Sequence, residues 1–409
     1  MPDSDRTGWQ GTCATQATPG NEEQSVNSKR RFVTATITAA SLCVLALLPA
    51  GAALGTTSPR GGSARAIQRL CHRSYDPYRV SSSVLAACGD TITRLNRVRN
   101  LPGGGKEYIY GSGATRSVTR MAPPGFKPLT ASDTELTEYG YPPRPSGGQA
   151  LLSWQSMVRK VHFITPPSYL VAEPSAQHGP SAQNVTDTYS FTWAGNEATG
   201  NTYRDVYSDY LEPTISSSVC SVTAESQWVG LGGDNTQNLA QGGTAYGESG
   251  VGNHQAWYDL SDGSSSVNVF MPIRGLYATP GGQFVAEIDR VSGGYYIFLA
   301  NTYLGGTGAN AFSHTIPFSA FDGSTAEMIV EDPDCGWQQK GPALANFGTF
   351  EVEDAEASTD GTTYHGLANW THNDVIMKSN GKSSGTTEAS AGSAFNSGDS
   401  WYDSQYHCS

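Results

Sequence analysis

The sequence predicts an all-β protein, and three observations carry that prediction. Gly and Tyr are abundant, at 47 and 20 of 409 residues, and only 15 % of the chain is charged. Such a composition is poor in helix formers and rich in strand and turn residues. From Asp187 onward, short aromatic or β-branched runs recur, separated by turns bearing Gly, Ser or Asn. No helical pattern interrupts them, which reads as a sandwich or barrel, and about 220 residues suffice for a sizeable core.

Taken in order, Lys29-Arg30-Arg31 precede an apolar run from Phe32 to Leu48 that ends in Pro49-Ala50-Gly51-Ala52. A basic flank, an apolar centre and a small-residue ending read as a secretory signal cut near Ala52 or, uncut, as a membrane anchor through residues 32–52. Residues 53–186 read as a basic, irregular and partly helical leader. Val84, Leu85, Ile92, Leu95 and Val98 predict a helix within Ser81–Asn100. Thr130-Ala131-Ser132-Asp133 followed by Glu135 predicts a capped short helix stopped by Gly140. A third helix is expected over Ala150–Val161, centred on Trp154 and Met157, and Pro166–Asp187 reads as a linker.

Residues 187–409 form the β domain. Strands are expected at Tyr189–Gly195, Tyr203–Leu211, Val219–Gly230, His254–Leu260, Val267–Met271, Gln283–Val291, Tyr295–Tyr303, Ala311–Ile316, Ala326–Glu331 and Ala345–Val352. An edge strand near Ser400–Tyr406 closes the chain.

Charge divides along the same boundary. Residues 1–186 hold 19 Lys/Arg against 11 Asp/Glu, a balance of +8, and residues 187–409 hold 6 against 26, a balance of −20. Neither half has the overall field of a nucleic-acid binder, and the two attract each other. Crowded carboxylates repel at pH 7 and relax when protonated, which suits work on the acid side. The seven cysteines fall in no zinc-like spacing. Cys71 and Cys88 could pair locally, with Cys220, Cys335 and Cys408 leaving one odd thiol. Asn184-Val185-Thr186 and Asn369-Trp370-Thr371 are sequons in a host that glycosylates.

Few nucleophile arrangements are available in the acidic half. It has no Gly-x-Ser-x-Gly elbow, no Asp-Thr-Gly or Asp-Ser-Gly, and its five histidines lack metal spacing. Carboxylate chemistry is the default for an enzyme. Two stretches draw notice: Gln227-Trp228-Val229-Gly230-Leu231-Gly232-Gly233-Asp234, running on to Leu239-Ala240-Gln241-Gly242-Gly243, and Thr325-Ala326-Glu327-Met328-Ile329-Val330-Glu331. The first places an amide among apolar residues, and the second a carboxylate. Alternation in a strand puts Glu327, Ile329 and Glu331 on one face.

With Trp193-Ala194-Gly195, Tyr210-Leu211-Glu212-Pro213, Ala256-Trp257-Tyr258-Asp259 and Ala345-Asn346-Phe347-Gly348, these stretches resemble, in order and spacing, the landmarks of the glutamic peptidases called eqolisins. Pro123-Pro124-Gly125-Phe126 is similar to a leader found before some members. The resemblance implies an antiparallel double β-sandwich of concanavalin A type with its site on the concave sheet. It implies a catalytic pair of Gln241 and Glu327, with Glu331 as the rival base. Trp228, Trp193 and Tyr258 are then expected as apolar walls of the cleft and Asp259 as a polar rim group. The sequence departs from the family pattern at Gly232 and Ala245, where acids are usual, and at Met328, where tryptophan is usual.

The expected function is a secreted, acid-acting endopeptidase with Glu as general base and Gln as oxyanion stabiliser. It needs no metal or cofactor, takes polypeptide substrates, acts as a monomer, and has its own leader as an intramolecular inhibitor. The alternative is a concanavalin-like module that binds carbohydrate or wall polymer by stacking tryptophans on sugar faces.

Overall fold

The computed structural model describes Tyr78 and residues 82–174, 189–216, 223–234, 236, 238–246, 254–262, 269–302, 309–332 and 343–407. The signal segment 1–52, the sequon at Asn184 and all cysteine side chains lie outside the described residues, so neither the anchor nor any disulfide is addressed. No helix among the described residues is long and apolar enough to cross a membrane.

The leader contains α1 (Ser82–Cys88), β1 (Thr91–Asn100), β2 (Lys106–Tyr110), β3 (Ser117–Met121), α2 (Asp133–Glu138), α3 (Gly148–Val158), β4 (Val161–Phe163) and β5 (Tyr169–Pro174). The acidic half opens with β6 (Tyr189–Ser190), β7 (Trp193–Thr199), β8 (Asp205–Leu211), β9 (Thr223–Gly232), β10 (Asn238–Tyr246), β11 (Gln255–Asp262), β12 (Val269–Tyr277) and β13 (Gln283–Val291). It continues with β14 (Gly294–Asn301), β15 (Ala309–Pro317), β16 (Ala326–Glu331), β17 (Ala343–Leu344), β18 (Thr349–Ser358), β19 (His365–Gly366), β20 (Thr371–Lys378), β21 (Thr387–Ala391) and β22 (Trp401–Gln405).

Two antiparallel sheets face each other, as the sequence predicts. The first runs β20–β7–β16–β9–β10–β11–β12. The second runs β22–β18–β8–β13–β14–β15. β21 pairs with β20 and β22 and links the sheets at one edge. Side chains of strict alternation fill the space between: Val229 and Leu231 from β9, Met328 and Val330 from β16, Phe284 and Ile288 from β13, Ile297 and Leu299 from β14. Each fully buried side chain of this size contributes about 1.5–3 kcal/mol of transfer free energy.

The leader is more strand-like than the sequence suggests. Only Ser82–Cys88 of the expected Ser81–Asn100 helix is helical, and Thr91–Asn100 is a strand paired with β2 and β5. Its apolar residues mimic a helical period because they serve two packings: Ile92 meets the Tyr78–Leu85–Val171 cluster, whereas Leu95 meets the central core. Part of the expected linker, Tyr169–Pro174, is also strand. Through β5 on β12, and β1, β2 and β3 in succession to Val118 opposite Thr315 on β15, the leader links the sheets at their other edge.

The helices α2 and α3 match expectation. Ser132 caps α2 reciprocally, its hydroxyl accepting from Glu135 N at 3.2 Å and its own N–H donating to Glu135 Oε2 at 2.8 Å. Trp154, Met157 and Val158 of α3 pack with Tyr207, Val285, Tyr296 and Phe298 on the outer face of the second sheet. The tail strand expected near Ser400–Tyr406 is β22. Strands β10, β20 and β21 and the two-residue β17 and β19 lie outside the expected set, and in β10 the pair Gly242-Gly243 imitates a turn although both glycines are laddered on both sides.

Candidate functional site

The outer face of the first sheet carries a row of five polar side chains that runs across six strands. Gly230 of β9 is in register with Gln241 of β10 on one side and with Glu327 of β16 on the other. Beyond Gln241 the row continues to Asp259 of β11, and beyond Glu327 to Glu197 of β7 and Asn373 of β20. Alternation places all these side chains on the face opposite Val229, Met328, Ala240 and Ala198, which fill the interior. Neighbouring strands lie about 4.8 Å apart, so Gln241 and Glu327 stand roughly 10 Å apart at the backbone, with no side chain between them. Their long side chains can therefore converge over Gly230.

That gap depends on glycine. A Cβ at 230 would lie 2.7 Å from the Trp228 ring and 3.0 Å from Glu327 Oε1. Glu327 and Gln241 are each 1 % exposed, and neither Glu327 oxygen nor Gln241 Oε1 makes a hydrogen bond of ordinary geometry to protein atoms. The Gln241 amide donates to Asp259 Oδ2 at 3.4 Å. Asp259 is thus buried beside the amide instead of forming a polar rim, and it orients that amide.

Burial pushes the Glu327 carboxyl well above its ordinary value, with the charge of Glu197 adding to it and the Thr325 hydroxyl opposing. Asp234 and Asp322 press in the same upward direction. Glu197 is raised to about 8, first by burial and then by Asp234, with Asn373 opposing. A buried carboxyl with raised affinity for protons is suited to taking one from water and giving it back.

Glu331 has another task. Its Oε1 accepts from Trp193 Nε1 at 3.1 Å and its Oε2 from Trp228 Nε1 at 2.8 Å. The two indoles meet edge to face at 5.1 Å and 78°. Both oxygens of Glu331 are engaged in fixing the tryptophan wall, whereas those of Glu327 are not. Trp193, Trp228, Trp257, Leu239, Ile329, Ala245 and Val375 form one apolar cluster on this face.

Of the residues expected at the site, Gln241, Glu327, Trp193, Trp228 and Asp259 share this face. Tyr258 does not: alternation in β11 turns it into the interior, stacked on His314 at 5.8 Å, and Trp257 takes the outward place. Glu197 and Asp322 were missed. Reading β7 two residues at a time from Trp193 would have put Glu197 on the Trp193 face. Asp322 precedes β16 in a segment with no strand signal.

Asp322 also accounts for Gly232. The backbone at 232 has φ +83°, and a Cβ there would meet Asn238 O at 2.4 Å, Asp322 O at 2.6 Å and Asp322 Cβ at 2.9 Å. The backbone carbonyl and Cβ of Asp322 fill that space, while its carboxylate accepts from the Thr236 hydroxyl and from Ser324 N at 2.9 Å. Ala245 lies in the apolar cluster.

Residues 191–396 match the model of the Peptidase A4 family. Two crystal structures of scytalido-glutamic peptidase, each with a transition state analog, are similar at 20 % and 21 % identity. Each alignment covers 53 % of this chain and 100 % of the other, with a TM-score of 0.40. Among curated proteins no sequence matches. The family match takes in just over half of the 409 residues, including the whole polar row. The chain belongs to the Peptidase A4 family and is a peptidase with an all-β sandwich fold.

Proposed function

We propose that the chain is an exported endopeptidase that works at acid pH, with Glu327 as general base and Gln241 as oxyanion donor. The observation that carries this reading is the alignment of both residues on Gly230. A peptide carbonyl lying over Gly230 has the amide of Gln241 on one side and the Glu327 carboxyl on the other. Glu327 takes a proton from a water as its oxygen attacks the carbonyl carbon, and Gln241 donates to the oxygen that becomes negative. The protonated Glu327 then delivers that proton to the leaving nitrogen. Asp259 holds the amide in its donor orientation, and the tryptophan wall buttressed by Glu331 keeps the region apolar, where such hydrogen bonds are strong.

Acid action is part of the proposal because the buried carboxyls around Glu327 cannot all be ionised together. Export rests on the signal-like segment ahead of Ala52. The bound sugar polymer of the alternative reading has little support: Trp228 and Trp257 are 0 % and 2 % exposed, and a sugar-stacking platform needs open indole faces. The test is casein digestion at pH 2–5 with pepstatin present, comparing the full chain with Gln241→Ala and Glu327→Gln. Cleavage by the parent and loss in both variants is expected; an inactive parent, or variants that digest normally, overturns the reading.

A further inference from the structure

We propose that Glu197 is a positioning residue for the reaction: its carboxyl keeps a proton in the row and donates it as a hydrogen bond to the carboxylate of Glu327. This rests on the reading of Glu327 as the base. Four observations converge on it. First, Glu197 and Glu327 are directly opposite one another across β7 and β16, where facing Cβ atoms lie about 4.5–5.5 Å apart. Second, both are buried, at 2 % and 1 % exposure, and their four carboxyl oxygens make no hydrogen bond of good geometry to protein atoms, although Asn373 and Asp234 approach Glu197 and Thr325 approaches Glu327. Third, among the described residues no cation pairs with either. Fourth, on its far side Glu327 meets Gly230, which offers no side chain, so within the row Glu197 is its only side-chain neighbour.

The groups facing the pair come from every adjoining element. Asn373 of β20 lies opposite Glu197. Asp234 bears on both, and Asp322 and Thr325 bear on Glu327. Gln241 and Asp259 lie beyond Gly230, and Glu331 lies further along β16 with its oxygens on the indoles. These are acids and neutral groups. Two buried carboxylates side by side with only such company cannot both be charged, so the working state holds one proton between them. Raised proton affinity is common to both carboxyls; Glu197 is assigned as the holder because Glu327 is the one that stands beside Gly230 and Gln241.

The proton balance is simple. At rest Glu327 is ionised and Glu197 carries the shared proton. Water gives its proton to Glu327 as a C–O bond forms at the substrate carbonyl. Glu327 returns that proton to the nitrogen as the C–N bond breaks. Glu197 ends with the proton it began with. Its work is to keep Glu327 ionised at acid pH in a site whose burial opposes charge.

The experiment compares peptide hydrolysis from pH 2 to 8 in the parent, Glu197→Gln and Glu197→Leu, with circular dichroism as a check on folding. Gln keeps a donor but cannot ionise. Its kcat falls about ten-fold or less, while the upper pH limb set by loss of the shared proton moves up by about one unit or more. Leu keeps neither property. Its lower limb moves up by about one unit, and kcat falls by about 30-fold or more with KM little changed, because an unsupported buried Glu327 holds its own proton. Unchanged limbs in both variants overturn the proposal. Should the parent hydrolyse nothing, the proposed function fails on its own, and carboxyl infrared titration still decides this point. Two coupled steps are expected in the parent, with the upper step absent in Glu197→Gln and in Glu327→Gln. Independent titration of Glu197, indifferent to Glu327→Gln, contradicts it.

Discussion

Gln241 and Glu327 are in register with the same residue, Gly230, from opposite sides of β9, and both project from the same face of the sheet. An amide and a carboxyl about 90 residues apart in sequence thereby share one side-chain-free strip of backbone. The space over that strip is taken up by the Trp228 ring, Glu327 Oε1 and Leu239.

Gly230→Ala tests the strip. The added methyl meets the Trp228 ring and Glu327 Oε1 at 2.7 and 3.0 Å. Overpacking of this kind costs about 1–3 kcal/mol of stability. Displacing a reacting group by a fraction of an ångström lowers activity by about 100-fold. Thermal unfolding and kcat/KM together check this: a folded protein with nearly full activity would show that the space over Gly230 is not used.

Glu331→Gln separates the two carboxyls of β16. An amide can accept from only one of the two indole N–H groups that Glu331 now serves, and the buried donor left over costs about 1–3 kcal/mol. Urea denaturation should show that loss, with kcat reduced far less than in Glu327→Gln. A larger kcat loss in Glu331→Gln than in Glu327→Gln reverses the assignment.

Gly232→Asp restores an acid that the family usually carries but does not raise activity. At φ +83°, with Asn238 O and Asp322 O already in place, a side chain there is destabilising by about 2 kcal/mol or more. Asp322→Asn, in contrast, removes a charge that presses on Glu327 and shifts the pH profile of kcat downward. An active, stable Gly232→Asp would show that Asp322 does not occupy that place.

The second sheet makes a prediction about pH. Under α3 its outer face carries Asp209, Glu287, Asp289, Asp354 and Glu356, all buried. Burial raises Asp289 and Asp354 to about 6 and Glu356 to about 8, and holds Asp209 and Glu287 well above their ordinary values. Arg204 beside Asp289, Lys160 beside Asp209 and Ser153 beside Asp354 offset part of this. A carboxyl whose proton affinity is raised by folding stabilises the fold fully below its unfolded value, near pH 4, and loses that stability as pH rises through about 6–8. Amide protection in Gly148–Val158, taken relative to the intrinsic exchange rate at each pH, should therefore be greater at pH 4 than at pH 8. Such a dependence would run opposite to an inhibitory leader that covers the cleft at neutral pH and is released when carboxylates are protonated; α3 packs on the second sheet. Lower protection at pH 4 than at pH 8 would contradict this dependence.

Much of this was legible in the sequence. Alternating aromatic and β-branched runs marked most sandwich strands, because each strand has one face in the core. The same rule, applied to β11 and β7, separates Tyr258 from Trp257 and finds Glu197; family landmarks drew attention to motif positions instead of to faces. Strand β1 was hidden because Ile92 and Leu95 answer to different clusters, and β10 because its glycines look like a turn. Asp322 was not legible, since its approach to Gly232 is a long-range contact from a segment without periodicity.

The pairing of Gln241 with Glu327 is tested most directly by a double-mutant cycle on kcat/KM for one peptide at acid pH, using Gln241→Ala, Glu327→Gln and both together. Residues that act on one carbonyl as a unit are non-additive. Each single change is expected to cost about 100-fold or more, and the double change little beyond the worse single. Costs that simply multiply, or a single variant close to the parent, would contradict a shared site over Gly230.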